Sequence, residues 1–147
     1  MKILVINGPN LNFLGIREKA IYGTESYDYL VNMINEYCGK NDIEVTCFQS
    51  NHEGDIIDRI QQAYYEKTDG IVINPGAYTH YSYAIRDALA SVPDIIKVEV
   101  HISDVNSREE FRHVSVTRPV CQDQIVGEGL NGYITAIDRI QEILQKK

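Results

Sequence analysis

A glutamate and a histidine stand two positions apart in a segment that has the composition of a β-strand. Glu99 and His101 flank Val100, and alternate residues of a strand point to the same face. A carboxylate beside an imidazole fixes the tautomer of the ring and favours its protonated form, which prepares a general acid. The alternative is a core histidine with a structural partner, and this pair alone leaves both interpretations open.

Polar segments follow four of the apolar, strand-like runs. They are residues 7–12, 50–53, 74–80 and 101–104, whereas the segments at the opposite ends of these runs have the composition of ordinary turns. If the runs are parallel strands, their carboxyl ends share one edge of a sheet, and four polar segments there predict a cleft. His52 and His80 lie in these segments, where a substrate contact and a turn hydrogen bond are equally compatible with the sequence. His113 lies outside them and is interpreted as structural.

The first polar segment continues into a long stretch, residues 8–23, with little periodicity. Loops longer than about 12–15 residues in compact domains are usually lids or binding loops, or are disordered. This one carries Arg17 and Tyr22 between Gly15 and Gly23, which would serve as hinges. We therefore expect a lid over about residues 8–23; the alternative is a surface loop with a salt-bridged arginine and a packed tyrosine.

Two further arginines follow the fourth polar segment. Arg108 and Arg112 are four residues apart and would share one face of a helix that a Ser107–Glu110 capping box would open. Such a face is either simply solvated or contacts an anion or a polyol beside the fourth strand.

The elements that position these residues alternate along the chain. Hydrophobic periodicity predicts strands at residues 2–7, 43–49, 70–74, 95–100 and 122–127, and helices at residues 24–39, 54–67, 82–91 and 130–145. This alternation predicts an α/β fold, a flavodoxin-like doubly wound five-stranded parallel sheet of order 2-1-3-4-5 with helices on both faces. A length of 147 residues fits a single domain, residues 1–147.

Composition excludes several classes of protein. The formal net charge of −7 argues against a nucleic-acid or anionic-membrane binder. No apolar run approaches the roughly 20 residues of a bilayer span, and the first run is too short for a secretory signal, so we expect a cytoplasmic protein. The three cysteines and four histidines show no metal-ligand spacing, so free thiols and no metal site are expected. The segment at Gly8 lacks a phosphate-loop pattern, although a flavin-type electron carrier stays open.

Taken together, the segments resemble type II 3-dehydroquinate dehydratase, an enzyme of the shikimate pathway. The resemblance covers nearly the whole chain and depends on residues 7–12, 14–18 with 22–23, 50–54, 74–80, 99–103 and 108–112. The chain departs from the family pattern at Lys19, where proline is usual, at Asp104, where asparagine is frequent, and in the looser segment 125–129. No departure removes a catalytic group, and a non-catalytic, ligand-sensing relative remains the alternative.

The resemblance implies the reversible anti elimination of water from 3-dehydroquinate to give 3-dehydroshikimate through an enolate, without imine, metal or cofactor. It implies that Tyr22 removes the C2 proton, that Arg17 promotes ionisation of this tyrosine, and that His101 protonates the departing C1 hydroxyl. A free tyrosine ionises only near about pH 10, so a close guanidinium is needed at neutral pH. Asn12 is implied to position a water that stabilises the enolate, and Glu99 to orient His101.

The resemblance also implies which residues bind the substrate and how the chains assemble. The carboxylate and hydroxyls of the substrate are expected to contact Asn74, His80, Ile102 (through its backbone), Ser103 and Arg112. Asp87 is expected to reach the site of a neighbouring subunit in a homododecamer built as a tetramer of trimers. No nucleic-acid or membrane partner is implied.

Overall fold

Five parallel strands form the centre of the molecule, which a computed structural model describes over residues 1–147. The strands are β1 (Lys2–Asn7), β2 (Glu44–Gln49), β3 (Gly70–Asn74), β4 (Ile96–His101) and β5 (Asp123–Val126). They pair in the order β2-β1-β3-β4-β5, and every neighbouring pair is parallel. The predicted fold class and strand order are confirmed.

Four of the five helices agree with the predicted segments except at their ends, and α1 is a short helix inside the segment predicted as a lid. They are α1 (Lys19–Tyr22), α2 (Tyr27–Lys40), α3 (Glu53–Tyr65), α4 (Tyr83–Ala90) and α5 (Gly132–Gln145). The hydroxyl of Ser26 accepts a hydrogen bond from the backbone of Tyr29 at the start of α2, and Ser82 caps α4 in the same way. Gly39 was predicted to end α2 but lies inside it, because the helix continues to Lys40 and ends at Asn41.

Two hydrophobic cores cover the two faces of the sheet. Buried residues of α2 and α5 pack on one face, among them Leu30, Ile34 and Ile137. Buried residues of α3 and α4 pack on the other face, for example Ile60 and Leu89. Both faces of β1 and β3 are therefore apolar, as parallel strands between two helical layers require.

Strand β4 departs from this pattern on one of its faces. Its even-numbered residues, such as Val98 and Val100, belong to the core formed with α2 and α5. Lys97, Glu99 and His101 point to the opposite face and are all buried. The alternation of the strand thus brings two ionisable groups, Glu99 and His101, to the carboxyl edge of the sheet on the same side.

Strands β1 and β3 approach each other closely where they end. Asn7 and Asn74 are partners in the register, and the backbone N–H of Gly8 donates to the carbonyl of Asn74 at 2.8 Å. A Cβ on Gly8 would lie 2.5 Å from the carbonyl oxygen of Pro75, so no side chain fits there. This tight contact lies at the point where the strand order reverses, the usual ligand position in such sheets.

The segment after β4 is less regular than predicted. It forms two short 3₁₀ turns, Val105–Ser107 and Glu110–His113, in place of one helical turn. The Ser107–Glu110 capping box is wrong, because the Ser107 hydroxyl donates to the carbonyl of Asp104 instead. Asp104 caps the first turn through its own carboxylate. None of the helices in the structure has the length and apolar composition that crossing a bilayer demands.

Candidate active site

A cleft with a volume of about 140 Å³ opens at the carboxyl edge of the sheet. Its walls come from the segments that follow β1, β3 and β4, which the sequence placed at one edge. Residues predicted to act in the site line it together: Arg17, Tyr22, Asn74, His80, His101, Ile102, Ser103 and Arg112. The convergence of three distant polar segments on one cavity is the arrangement that parallel strands predict.

A buried carboxylate lies behind the cleft. The side chain of Glu99 is fully buried, and its Oε2 lies 2.9 Å from Nε2 of His101. Its other hydrogen-bond donors are all uncharged: Thr79 (3.1 Å), Ser115 (2.9 and 3.1 Å), Gln124 (2.6 Å) and Thr117. We call Glu99, His101 and these four donors the strand-end group.

These donors keep Glu99 ionised although it is buried. Burial alone would raise the pKa of this carboxyl, but hydrogen bonds and charge from His101, with hydrogen bonds from Thr117 and Gln124, lower it to about 2. Because its other donors are neutral, they stabilise the anion without cancelling its charge. That charge remains available to a protonated His101.

His101 presents its second ring nitrogen away from Glu99. Nε2 faces the carboxylate, and the ring lines the cleft, so Nδ1 is the nitrogen that can exchange a proton with a bound molecule. The predicted pairing of Glu99 and His101 on one face is confirmed.

A second cluster joins the loop after β1 to the segment after β4. Nη1 of Arg108 donates to the hydroxyl of Tyr22 at 2.5 Å. The guanidinium of Arg17 lies over the ring of Tyr22, with its carbon 4.1 Å from the ring centroid, whereas that of Arg108 is 5.2 Å away. We call Arg17, Tyr22 and Arg108 the loop group.

Arg108 is therefore the arginine that contacts the hydroxyl of Tyr22, a contact that the sequence did not predict. Its side chain is 9% exposed, and Nη1 also reaches Ser103 Oγ at 3.5 Å. The interpretation of Arg108 as part of a solvated helix face is therefore wrong. The segment forms two 3₁₀ turns instead of a helix, and the guanidinium points inward. The available signal was its spacing from Arg112, which left an anion contact as the alternative.

His80 and Arg112, which also line the cleft, are each held by a hydrogen bond. Nδ1 of His80 bonds to the carbonyl of Val114 at 2.8 Å, and burial lowers the pKa of this imidazole. Nε of Arg112 donates to Glu109 at 2.9 Å, and the arginine lowers the pKa of that exposed carboxyl. Arg112 together with the two arginines of the loop group makes the cleft basic within an acidic chain, which suits an anionic ligand.

Besides Glu99, which lies behind the cleft, two predicted site residues lie outside it. Asn12 is exposed, and its Oδ1 is 3.4 Å from Gln49 Nε2. Asp87 is exposed on α4 and lines no part of the cleft of its own chain. His52 is exposed at the start of α3, so a cleft contact is not formed there.

The structure shows neither a metal site nor a reactive thiol. No set of three or more His, Cys, Asp or Glu side chains is placed to hold a metal ion. The cysteines are free, and burial raises the pKa of Cys47 to about 11 and that of Cys121 to about 12. Thiolates are therefore scarce at neutral pH.

A larger cavity of about 890 Å³ adjoins the cleft. The two share Tyr22, Ile102, Ser103 and Arg108, but the larger one contains neither His101 nor Asn74. The smaller cavity is therefore the candidate for chemistry, since the histidine and the tyrosine meet only there.

Comparison with known proteins identifies the family of this cleft. The model of the family described as dehydroquinase class II matches residues 1–141. The chain belongs to the class II dehydroquinase family. It is 70% identical over 140 residues to a 3-dehydroquinate dehydratase of Lachnoclostridium phytofermentans, covering 95% of this chain and 96% of the relative.

Other class II dehydroquinases show the same likeness. A 3-dehydroquinate dehydratase of Lachnospira eligens is 63% identical over the whole of both chains. The crystal structure of a type II dehydroquinase from Butyrivibrio crossotus superposes with a TM-score of 0.96 at 77% identity, covering 96% of this chain and 97% of that one. The fold of the chain is therefore that of a solved class II dehydroquinase.

Proposed function

We propose that this class II dehydroquinase dehydrates 3-dehydroquinate reversibly to 3-dehydroshikimate in the shikimate pathway, as a hydro-lyase using the cleft just described. The observation that carries the proposal is the meeting of a tyrosine, a histidine and three arginines in one cavity of a family member. The arginines suit a carboxylate substrate, and the other two groups suit proton transfer.

In the proposed mechanism, Tyr22 acts as the base. As tyrosinate it takes the proton from C2, and the electron pair of that C–H bond becomes the enolate of the adjacent carbonyl. Nη1 of Arg108 lies 2.5 Å from the hydroxyl oxygen, and the guanidinium of Arg17 lies over the ring, so two positive charges are next to the oxygen that carries the negative charge in this step. The resemblance implied that Arg17 promotes ionisation of the tyrosine, and we propose that Arg108 shares this role.

His101 acts as the acid. Collapse of the enolate breaks the C1–O bond while His101 delivers its proton to the leaving hydroxyl, so that water departs. The turnover leaves Tyr22 protonated and His101 neutral, and exchange with solvent restores both. Glu99 orients the imidazole and offsets its positive charge.

Substrate contacts are proposed for Asn74, His80, Ser103, Arg112 and the backbone of Ile102, all of which line the cleft. Asn12 would position a water beside the enolate, which requires its segment to shift towards the cleft. We assign residues 8–23 to a lid, since this segment carries Arg17 and Tyr22.

The protein is proposed to be cytoplasmic and to assemble as a homododecamer, a tetramer of trimers. The exposure of Asp87 on α4, outside the cleft of its own chain, supports a contact with the site of a neighbouring subunit. Light scattering should then report a particle of about twelve chains, the closed symmetric type of assembly. A fully active monomer would contradict the shared site.

An absorbance assay for the conjugated enone of the product tests the activity. We expect turnover of 3-dehydroquinate that survives both EDTA and borohydride, because neither a metal nor an imine takes part in the proposed steps. Absence of turnover, or inactivation by borohydride that depends on substrate, would overturn the proposal.

A further inference from the structure

A buried tyrosine of α5 connects the ends of β1 and β3 just below the cleft. The ring of Tyr133 is completely buried. Its hydroxyl lies 2.5 Å from Asn7 Oδ1 and 2.9 Å from Asn74 Nδ2. The two asparagines are register partners on adjacent strands, so the hydroxyl sits between the two side chains where the strand order reverses.

The donors and acceptors in this chain of hydrogen bonds have a single consistent order. The backbone N–H of Gly76 donates to Asn74 Oδ1 at 3.1 Å, so Asn74 must turn Nδ2 towards Tyr133. Burial raises the pKa of Tyr133, so the phenol stays protonated, and its O–H donates a hydrogen bond to Asn7 Oδ1. One N–H of Asn74 is thereby used, and the second is left for a molecule in the cleft that Asn74 lines.

This arrangement sacrifices a polar atom in the interior. Because Oδ1 of Asn7 accepts from Tyr133, Nδ2 of Asn7 is turned the other way, towards Tyr27, where it is buried without a hydrogen bond of ordinary length. Such a group lowers stability. A phenylalanine at position 133 would fill the same space without needing these hydrogen bonds. Packing alone therefore does not account for the hydroxyl of Tyr133.

We propose that Tyr133 is a positioning residue, whose hydroxyl fixes the amide of Asn74 so that one N–H points to the bound substrate. The proposal rests on the role of Asn74 as a substrate contact in the proposed function. It assigns to α5, which contributes no side chain to the cleft, a part in substrate affinity.

The test is Tyr133→Phe, which removes the hydroxyl and keeps the ring. We expect the KM for 3-dehydroquinate to rise about tenfold while kcat changes less than about threefold, as for one lost hydrogen bond in binding. Tyr37→Phe is the matched control, because the Tyr37 hydroxyl also bonds to α5, at Asp138, but away from the cleft. It should leave both constants unchanged.

A double-mutant cycle with Asn74→Ala separates the two proposals. If Tyr133 acts through Asn74, Tyr133→Phe should raise KM no further in the Asn74→Ala background. Asn74→Ala without effect on KM would refute the substrate contact itself. A raised KM in Asn74→Ala with an unchanged KM in folded Tyr133→Phe would refute only the positioning role.

A second variant covers the case in which Tyr133→Phe does not fold. Asn7→Ala removes the acceptor of the phenolic proton and frees the hydroxyl to turn away from Asn74, so KM should again rise with kcat nearly constant. A folded Asn7→Ala protein with lower thermal stability and unchanged KM would show that the chain is structural, and would overturn the inference.

Discussion

The strand-end group, through His101, and the loop group meet at the same cleft but are held in different ways. Glu99 and His101 belong to one strand, and the donors around Glu99 are uncharged groups packed against the sheet. In the loop group, Tyr22 meets Arg108 across two irregular segments, and Glu18, which is 53% exposed, lies near both arginines. The first set of contacts is internal to the core, and the second is a contact between two loops.

This difference separates two ways in which a substitution acts. The sheet holds the strand-end group in place whether or not a ligand is present, so substitutions there alter proton transfer or stability directly. If residues 8–23 are a lid, as proposed, the loop group is complete only when this segment and the segment after β4 are together. Substitutions in the loop group should then also alter how often the proposed base is in position.

The largest expected effect tests the loop group. Tyr22→Phe removes the oxygen that takes the C2 proton in the proposed mechanism, so kcat should fall by about 10³–10⁴, the upper part of the range for a general base. Steady-state turnover and circular dichroism measure activity and fold. Tyr65→Phe, an exposed tyrosine at the end of α3, is the control. Turnover within tenfold of the parent would remove Tyr22 from the mechanism.

The next effect tests the strand-end group. His101→Ala should lower kcat by about 10²–10³, since the proposed general acid is lost while the arginines proposed to bind the substrate remain. KM should change less than kcat. His52→Ala, at an exposed histidine outside the cleft, should be neutral. If His101→Ala changed turnover only a few-fold, the pair with Glu99 would be structural, the alternative that the sequence left open.

The two arginines sharpen the comparison within the loop group. Arg108→Ala should lower kcat by about 10–10² at pH 7, and turnover should recover towards about pH 10, where a tyrosine ionises without help. Arg17→Ala should also lower kcat but recover less, because Arg17 lies over the ring and not at the hydroxyl. Arg59→Ala is the control, because Arg59 pairs with Glu66 and does not line the cleft.

Non-additivity provides a check on the arginine variants. Combined with Tyr22→Phe, Arg108→Ala should cost little more, because both substitutions disable one unit. Two results would assign the promotion of tyrosine ionisation to Arg17, as the resemblance first implied. One is a loss in the double variant equal to the product of the two single losses, and the other is recovery at high pH in Arg17→Ala alone.

The last prediction measures stability in acid instead of turnover. The pKa of Glu99 lies at about 2 in the fold, below the ordinary carboxyl value of 4.5, so its contribution is complete above about pH 4.5 and is lost as pH falls towards 2. This corresponds to on the order of 3 kcal/mol. Thermal melts of wild type and Glu99→Gln from pH 6 to pH 2 should therefore converge.

The control for the acid experiment is Glu36→Gln, at an exposed glutamate paired only with Lys40. Its melting temperature should run parallel to that of wild type at every pH, since a surface pair contributes little. Melting curves of Glu99→Gln that stayed parallel to wild type would mean that the ionised carboxylate does not stabilise the fold.

The sequence predicted the strand-end group better than the loop group for a physical reason. The two-residue period of a strand requires Glu99 and His101 to share a face, and parallel pairing requires the strand ends to share an edge. Nothing local relates Arg108 to Tyr22, or Thr79 and Thr117 to Glu99, since these contacts depend on how irregular segments cross.

Helix α5 illustrates the same limit in another way. The helical period places Tyr133 on the same face as Ile137 and Ile140, and all three side chains are buried. The helical period identifies a core position but carries no information about the partners of the hydroxyl. Those partners, Asn7 and Asn74, are 126 and 59 residues away in the sequence. Polar contacts inside an apolar stripe are visible only in three dimensions.

The close approach of Gly8 to Pro75 limits how this enzyme can be engineered. In a library randomised at every codon and selected for growth without aromatic amino acids, position 8 should return glycine alone, since even a methyl group would strike the opposite loop. Gly39 and Gly54 have open space beside them and should accept other residues. Diversity aimed at new substrates is therefore better spent on the walls of the cleft than on the junction beneath it.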